Sequence, residues 1–365
     1  MFKLHSPGRI NIIGEHLDYN GGLVLPAAVD RGITFEVKPK EGKLLKLHAL
    51  DLGKTEEVDP NKDRPTGIQW VDYLLGICYE FRQLGHEIPA LEIAFGGDLP
   101  SGAGMSSSAA LEGGMAFLLN EITGAELTRS ELAQLSRRSS NNFIGVPVGI
   151  MDQFASLNGQ EERALMLNCD TLEYEAIPAN LPGYTWLLVN SCVSHDLAES
   201  AYGDRVNECK AGLYALQKVY PEIKQLAQAS ITQLERVADD ISDVVYKRCC
   251  YVIKEQSRIL AAVEALKDQS AKKLGQLLNA THAGLRDDYE VSCPEVDFLQ
   301  AFAEQHDAVL GSRIMGGGFG GCTLNLVLEQ QVESFTESVQ EAYLRKYKLK
   351  APVYSVKLSD GTKLL

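Results

Sequence analysis

Between Trp70 and Leu84 the apolar side chains fall at Trp70, Val71, Leu74, Leu75, Ile77, Cys78, Phe81 and Leu84. That spacing of three and four lines one face of a helix, and Gly85 supplies the stop. The same reading predicts helices over Ser107–Ile122 (closed by Thr123-Gly124), Ala201–Val219 and Val245–Leu266, and one more opened by the capping box Thr128-Arg129-Ser130-Glu131. Short apolar-rich runs bounded by Gly, Pro or Lys read instead as strands: Ile33–Val37, Leu44–Leu47, Leu91–Phe95, Tyr184–Val189 and Leu324–Leu328. Helices and strands mix without strict alternation, which predicts α+β packing and not a doubly wound parallel sheet.

The chain has 365 residues, more than one core usually holds, so two domains are expected. The most linker-like stretch near the middle runs from Ile177-Pro178 to Pro182-Gly183. It divides the chain into residues 1–180 and 181–365. Apolar residues make up 45% and charged residues 23%, an ordinary globular balance. The formal net charge is −14, from 35 basic and 49 acidic residues. Such a surface repels nucleic acid and anionic membranes, so neither is expected as a partner, and a nucleotide site has to be a local positive island. The start Met1-Phe2-Lys3-Leu4-His5-Ser6-Pro7-Gly8 lacks the apolar region of a secretory signal, and no run reaches the roughly 18 apolar residues of a membrane span. A cytoplasmic protein is expected. The eight cysteines show neither metal-ligand spacing nor Cys-x-x-Cys, which reads as reduced thiols without a metal role.

Three glycine-rich segments carry the candidate chemistry. In the first, Pro7–Gly22, an apolar centre leads to Gly14 and then to Glu15, His16 and Asp18. Carboxylates accept hydrogen bonds from hydroxyls, so this cluster suits a polyhydroxylated ligand; a solvated turn is the alternative. In the second, Gly97–Glu112, small residues run straight into a helix. Gly102 and Gly104 let the backbone approach an anion closely, and Ser106, Ser107 and Ser108 add hydroxyls where the helix presents free amides. This composition suits a phosphate cradle, with an ordinary serine-capped helix as the alternative. No Gly-x-x-x-x-Gly-Lys-Ser/Thr occurs, so it is not a Walker loop. In the third, Ser312–Thr323, Gly316, Gly318 and Gly321 formally satisfy Gly-x-Gly-x-x-Gly. A strand follows where a dinucleotide fingerprint needs a helix, so the segment reads as a loop passing close to a ligand or to another loop.

In this order the three segments resemble the signature motifs of the galactokinase branch of the GHMP small-molecule kinases. Val148-Gly149-Ile150-Met151-Asp152-Gln153-Phe154, Leu285–Pro294, and Asn190-Ser191 followed by His195 and Tyr202 also resemble family segments. The resemblance implies an N-terminal domain like ribosomal protein S5 domain 2 and a ferredoxin-like C-terminal domain, with the active site between them. It implies an ATP- and Mg²⁺-dependent kinase acting on the anomeric hydroxyl of galactose, and a monomer. By position, Asp152 matches the general base and Arg9 the arginine beside it. Glu15, His16, Asp18, Gly149 and Tyr202 match sugar contacts. Gly102, Ala103, Gly104, Met105, Ser106, Ser107 and Ser108 match the ATP-phosphate loop, Ser108 the magnesium-holding serine, and Trp70 and Tyr73 aromatic positions near the adenine.

Three positions depart from the family pattern. Ser140 stands where the family usually has a metal-ligand Glu, twelve residues before the base; a hydroxyl is a poor substitute for a carboxylate on a hard dication. Leu17 replaces a common Thr, which leaves a related sugar such as N-acetylgalactosamine open. Arg248-Cys249-Cys250-Tyr251 stands where Arg-x-Arg-His is frequent, so a basic group on the nucleotide side is lost. With Ser140, this leaves a catalytically weak sugar- and ATP-binding sensor as the competing expectation.

Overall fold

The structure, a computed structural model, describes residues 2–100, 102–194 and 198–365; Ser101 and His195 lie outside the described residues. The first half runs β1 (Phe2–Asn11), β2 (Leu23–Val24), β3 (Pro26–Pro39), β4 (Leu45–Ala49), β5 (Lys54–Val58), α1 (Gln69–Gln83), β6 (Leu91–Gly97), α2 (Ser107–Thr123), α3 (Arg129–Arg138), α4 (Met151–Asn158), β7 (Arg163–Asn168) and β8 (Tyr174–Pro178). The second runs β9 (Tyr184–Ser194), α5 (Ala198–Val219), α6 (Ile231–Glu235), α7 (Asp243–Lys267), α8 (Ala271–Ala283), α9 (Pro294–Glu304), β10 (Val309–Ile314), β11 (Gly320–Leu328), α10 (Val332–Tyr347), β12 (Val353–Val356) and β13 (Lys363–Leu364).

The strands form a six-stranded sheet of order β13-β1-β3-β6-β4-β5, a three-stranded sheet β2-β7-β8, and a four-stranded sheet β10-β11-β9-β12. Among the described residues only the β4–β6 pair is parallel. Helices α1, α2 and α4 cover the first sheet with an apolar interior that includes Leu4, Phe35, Leu74, Phe81, Leu118 and Phe154. The four-stranded sheet of the second half, called the second sheet below, follows the strand–helix–strand–strand–helix–strand order of a ferredoxin-like unit, with α5 to α9 all inserted between β9 and β10. The α+β expectation therefore holds. After β12 the chain leaves the second sheet: Leu358 bridges Val29, Thr362 Oγ1 meets Ser6 Oγ at 3.0 Å, and β13 pairs with β1.

The capping box at Thr128 is formed in full, and Gly124 closes α2 in the left-handed conformation. β1 is longer than its apolar pattern suggests, because its Pro7-Gly8 interruption is absorbed as a bulge between Pro7 and Arg9. That bulge positions the first catalytic candidate. All eight cysteines are free thiols, with Cys192 exposed and the others buried. No helix among the described residues is long and apolar enough to cross a membrane.

Candidate active site

Arg9, just past the bulge of β1, is anchored by its own backbone: its N–H donates to the Met105 carbonyl at 3.1 Å. Its guanidinium grips Asp152 in the two-pronged geometry that suits carboxylates, Nε to Oδ1 at 2.8 Å and Nη2 to Oδ2 at 2.9 Å. A third nitrogen, Nη1, donates to the Gly104 carbonyl. Asp152 sits in the first turn of α4, where the helix dipole favours a negative charge. It stays 33% exposed while Arg9 is nearly covered, so the carboxylate is the member that a ligand can touch.

Residues Gly102–Ser108 meet the same pair. Gly102 and Gly104 take φ of +71° and +67°, values natural to glycine. Ala103 and Met105 turn their side chains into the core, which leaves backbone groups and the hydroxyls of Ser107 and Ser108 for a ligand. Ser106 precedes α2 with φ +57° and makes no side-chain cap. Its hydroxyl donates to Asp152 Oδ2 instead. The ordinary serine-cap reading is thereby displaced, and the amides of the first turn of α2 are left to bind something else.

A cavity of about 620 Å³ opens beside Asp152. Arg9, Glu15, His16, Asp18, Gly149, Asp152 and Tyr202 all line it, together with Gly145–Val148, Met151 and the third glycine loop, Gly316–Phe319. Asp18 lies so close to residue 149 that a Cβ there would sit 1.7 Å from its Oδ2. Gly149→Ala is expected to push the Asp18 carboxylate aside and to raise the KM of the hydroxylated substrate about tenfold or more, kcat changing less; steady-state kinetics check this.

Glu15 is buried and held by its Oε1, which accepts from Arg313 Nη1 at 3.0 Å and from the Gly316 amide at 2.9 Å. Arg313, on β10, is wholly buried and also donates to the carbonyls of Ile12 (2.8 Å), Ile314 (2.6 Å) and Asn11. One side chain therefore ties the second sheet, the acidic loop and the third glycine loop together. His16 has φ +65° and packs its ring against Tyr202 and Tyr289. Burial, with Arg205 nearby, pushes its pKa down to about 3, so the ring is neutral.

The remaining candidates lie off the cavity. Trp70 and Tyr73 are half-buried on α1, Trp70 with its ring 5.7 Å from Phe95. Ser108 is half-buried in the first turn of α2. Leu17 is buried in the core and does not line the cavity, so its side chain has no direct say in the choice of substrate. Arg248 is enclosed in α7 by Glu208, Glu290 and the Asp288 carbonyl, and Tyr251 donates to the Glu15 carbonyl at 3.1 Å. That segment supports the acidic loop.

Ser140, buried, donates to Glu112 Oε1 at 2.7 Å. Glu112, on α2, is fully buried and accepts from two neutral groups, Ser140 and, at 3.4 Å, Gln153. Burial pushes its pKa up to about 8, with both hydrogen bonds opposing. Asp18 is raised to about 7, by burial first and then by Asp152 and Glu15. These shifts set a pH dependence. Below the ordinary histidine value of 6.5, His16 takes a proton more readily unfolded than folded, which favours unfolding as pH falls. Asp18 and Glu112 act the other way from about pH 4.5 upward, and above 6.5 they act unopposed. The folded chain still holds protons on Asp18 and Glu112 that the unfolded chain has released, so stability falls until about pH 8. Ligand-free protein is expected to lose about 2 kcal/mol between pH 6.5 and 8.5, and Glu112→Gln to remove most of that slope, as read by urea unfolding.

Sequence reasoning missed Arg313 and Glu112. Comparison with known proteins gives the family and the fold. Residues 2–39 match the galactokinase galactose-binding signature, residues 72–160 the GHMP kinases N terminal domain and residues 262–345 the GHMP kinases C terminal domain. The chain is 37% identical to a galactokinase of Thermotoga maritima over 359 residues, covering 98% of this chain and 99% of that one. It is 38% identical to a galactokinase of Clostridium beijerinckii, covering 98% and 93%. The crystal structure of Lactococcus lactis galactokinase complexed with galactose superposes with a TM-score of 0.94 at 35% identity, covering 100% and 95%. Mevalonate kinase of Methanococcus jannaschii shares the fold, with a TM-score of 0.70 at 18% identity over 98% of each chain.

Proposed function

Because the chain belongs to the galactokinase family of the GHMP kinases, we propose that it transfers the γ-phosphoryl group of ATP to the anomeric hydroxyl of galactose, giving galactose 1-phosphate and ADP. One observation carries the reading. Asp152 is bonded both to Arg9, in the wall of the cavity, and to Ser106, at the head of the amide-rich helix. A sugar in the cavity and a phosphate at α2 would then meet at one carboxylate.

Phosphoryl transfer asks for alignment and charge stabilisation. Glu15, His16, Asp18 and Tyr202 orient the sugar, Glu15 and Asp18 accepting hydrogen bonds from its hydroxyls. Asp152 accepts the proton of the anomeric hydroxyl as its oxygen bonds to the γ-phosphorus. The bond from that phosphorus to the β,γ-bridging oxygen breaks, and ADP leaves. Arg9 stabilises the negative charge on the transferring group. The first-turn amides of α2 and the loop Gly102–Ser108 hold the phosphates, while Trp70 and Tyr73 flank the adenine.

The donor set fits Mg²⁺. Hydroxyls and carboxylates predominate, and no group of three or more His, Cys, Asp or Glu suited to a metal occurs among the described residues. A cation here would draw few ligands from the protein, as Mg²⁺ commonly does. Ser108 would hold it, and when bound the ion would supply positive charge to offset that of the phosphates. Buried Glu112 stands one helical turn behind Ser108, a carboxylate near the gap that Ser140 leaves.

We place the domain boundary near residue 180, with the reaction between the two halves, and expect a cytoplasmic monomer. Leu17 lies off the cavity, which removes the reason given for an N-acetylated sugar. The joined Arg9, Asp152 and Ser106 argue against a catalytically weak sensor. The test is a panel of sugars with ATP and Mg²⁺, following ADP release and the product by phosphorus NMR. Galactose is expected to give an anomeric phosphate with the highest kcat/KM; ADP release that does not depend on galactose would contradict the assignment.

A further inference from the structure

We propose that Glu255, which does not line the cavity, is a positioning residue for the sugar site: it fixes the Gly14 amide and so sets where Glu15 stands in the cavity wall. Glu255 lies on α7 and is fully buried. Its carboxylate is engaged on both sides. Oε1 accepts from the Gly14 N–H at 3.0 Å and Oε2 from Arg258 Nε at 2.5 Å, while the Thr281 hydroxyl of α8 lies 3.1 and 3.0 Å from the two oxygens. Tyr251 stands one turn earlier on the same face of α7, and its hydroxyl donates to the Glu15 carbonyl. One helix face therefore holds the dipeptide Gly14-Glu15 at both ends.

The chain has little slack at this point. Gly14 has φ +103°, and a Cβ there would lie 2.8 Å from Ile259 Cδ1, also on α7. The peptide joining Ile13 to Gly14 is pinned at both edges, its carbonyl by the Leu25 N–H at 3.1 Å and its amide by Glu255. Arg313 takes the carbonyls of Asn11 and Ile12 and the Glu15 carboxylate. A buried anion and a buried cation from the second half of the chain thus grip Asn11–Glu15, one by its donor and the other by its acceptors. Gln256, next to Glu255 on α7, has its Oε1 engaged by the Leu23 N–H at 2.9 Å. Loss of the Glu255 acceptor would leave the Gly14 amide unpaired in the interior, which is costly. The peptide relieves that cost by turning, and Glu15 turns with it.

The inference rests on the reading of the cavity as a sugar site. If Glu255 served only to tie α7 to α8 through Thr281, its loss would lower stability and leave the sugar affinity of the folded protein alone. Glu255→Gln separates the two roles. It keeps the shape and reduces two acceptor oxygens to one. The charge of Arg258 draws that oxygen, so the NH₂ group faces the Gly14 N–H and the bond is lost. Galactose KM is expected to rise about tenfold, with kcat per folded enzyme and the ATP KM within about twofold. Adding Arg258→Met removes the competitor and lets the oxygen turn to Gly14. The double variant is expected to return within about threefold of the wild-type KM. Arg258→Met alone keeps the Gly14 bond, and is expected to lower stability at unchanged KM.

Amide hydrogen exchange at Gly14, followed by NMR in the full-length, ligand-free protein, reads the bond itself. Strong protection is expected in the wild type, weakened about tenfold or more in Glu255→Gln and regained in the double variant. A wild-type Gly14 amide that exchanges like an exposed loop overturns the proposal, whether or not any variant folds. So does a folded Glu255→Gln with galactose KM within about twofold of wild type, or a folded double variant no better than the single one. Exchange is read without sugar or ATP, so a protein that fails to phosphorylate galactose while Gly14 behaves as stated contradicts the functional reading alone.

Discussion

Replacing Asp152 with asparagine is expected to lower kcat about 10²- to 10⁴-fold, the usual worth of a positioned general base, while galactose KM changes by only a few-fold. Asparagine keeps the size and one acceptor oxygen, so part of the Arg9 grip survives. What it loses is the ability to take a proton from the attacking hydroxyl. Alanine is the poorer probe. Arg9, nearly covered by protein, would be left as an uncompensated buried charge, and lost stability would mix with lost chemistry. Stopped-time assays of ADP release, paired with calorimetric titration of galactose, separate the two effects. A kcat within tenfold of wild type for Asp152→Asn would remove Asp152 from the base role.

The second large effect is expected from Arg313→Met, at a residue that touches no reacting atom. Arg313 is fully buried and donates to Glu15 and to carbonyls of β1 and β10. Methionine fills much of the space but leaves the Glu15 carboxylate without its cation and the carbonyls without their donor. The expected loss is about 3–5 kcal/mol in urea unfolding, with an unchanged m-value. Galactose KM should rise as well, because Glu15 is held in the cavity wall by that ion pair. Adding Glu15→Gln should return part of the stability but not the KM, since it removes the stranded charge and keeps the wall misplaced. Equal and additive losses in the single and double variants would show that the two residues act independently.

Much of this architecture was legible in the sequence because it is written in local pattern. The stripe from Trp70 to Leu84, the glycine after α2 and the capping box at Thr128 each report on neighbours three or four residues away. Helices α8 and α10 escaped because their buried stripes are thin: α8 buries Thr281 and His282 beside Leu274 and Leu278, and α10 buries only Phe335, Val339 and Tyr343. The site itself is a matter of long-range closure. Arg9 and Asp152 stand 143 positions apart, and no periodicity joins them; the resemblance to a family did. Two signals were present and not used. Glu112 stands alone in a helix otherwise built of small and apolar residues around Ala109–Met115, which marks a buried carboxylate. Arg313 stands in a strand that also buries Val309 and Ile314, and an arginine there needs partners.

The central claim is that the phosphate-binding end of α2 and the sugar cavity converge on Asp152. A crystal structure with galactose and a non-hydrolysable ATP analogue tests it most directly. The expected result is the anomeric oxygen about 3–3.5 Å from the γ-phosphorus, with Asp152 hydrogen-bonded to that hydroxyl. Sugar and nucleotide held in separate crevices, with Asp152 touching neither, would contradict it.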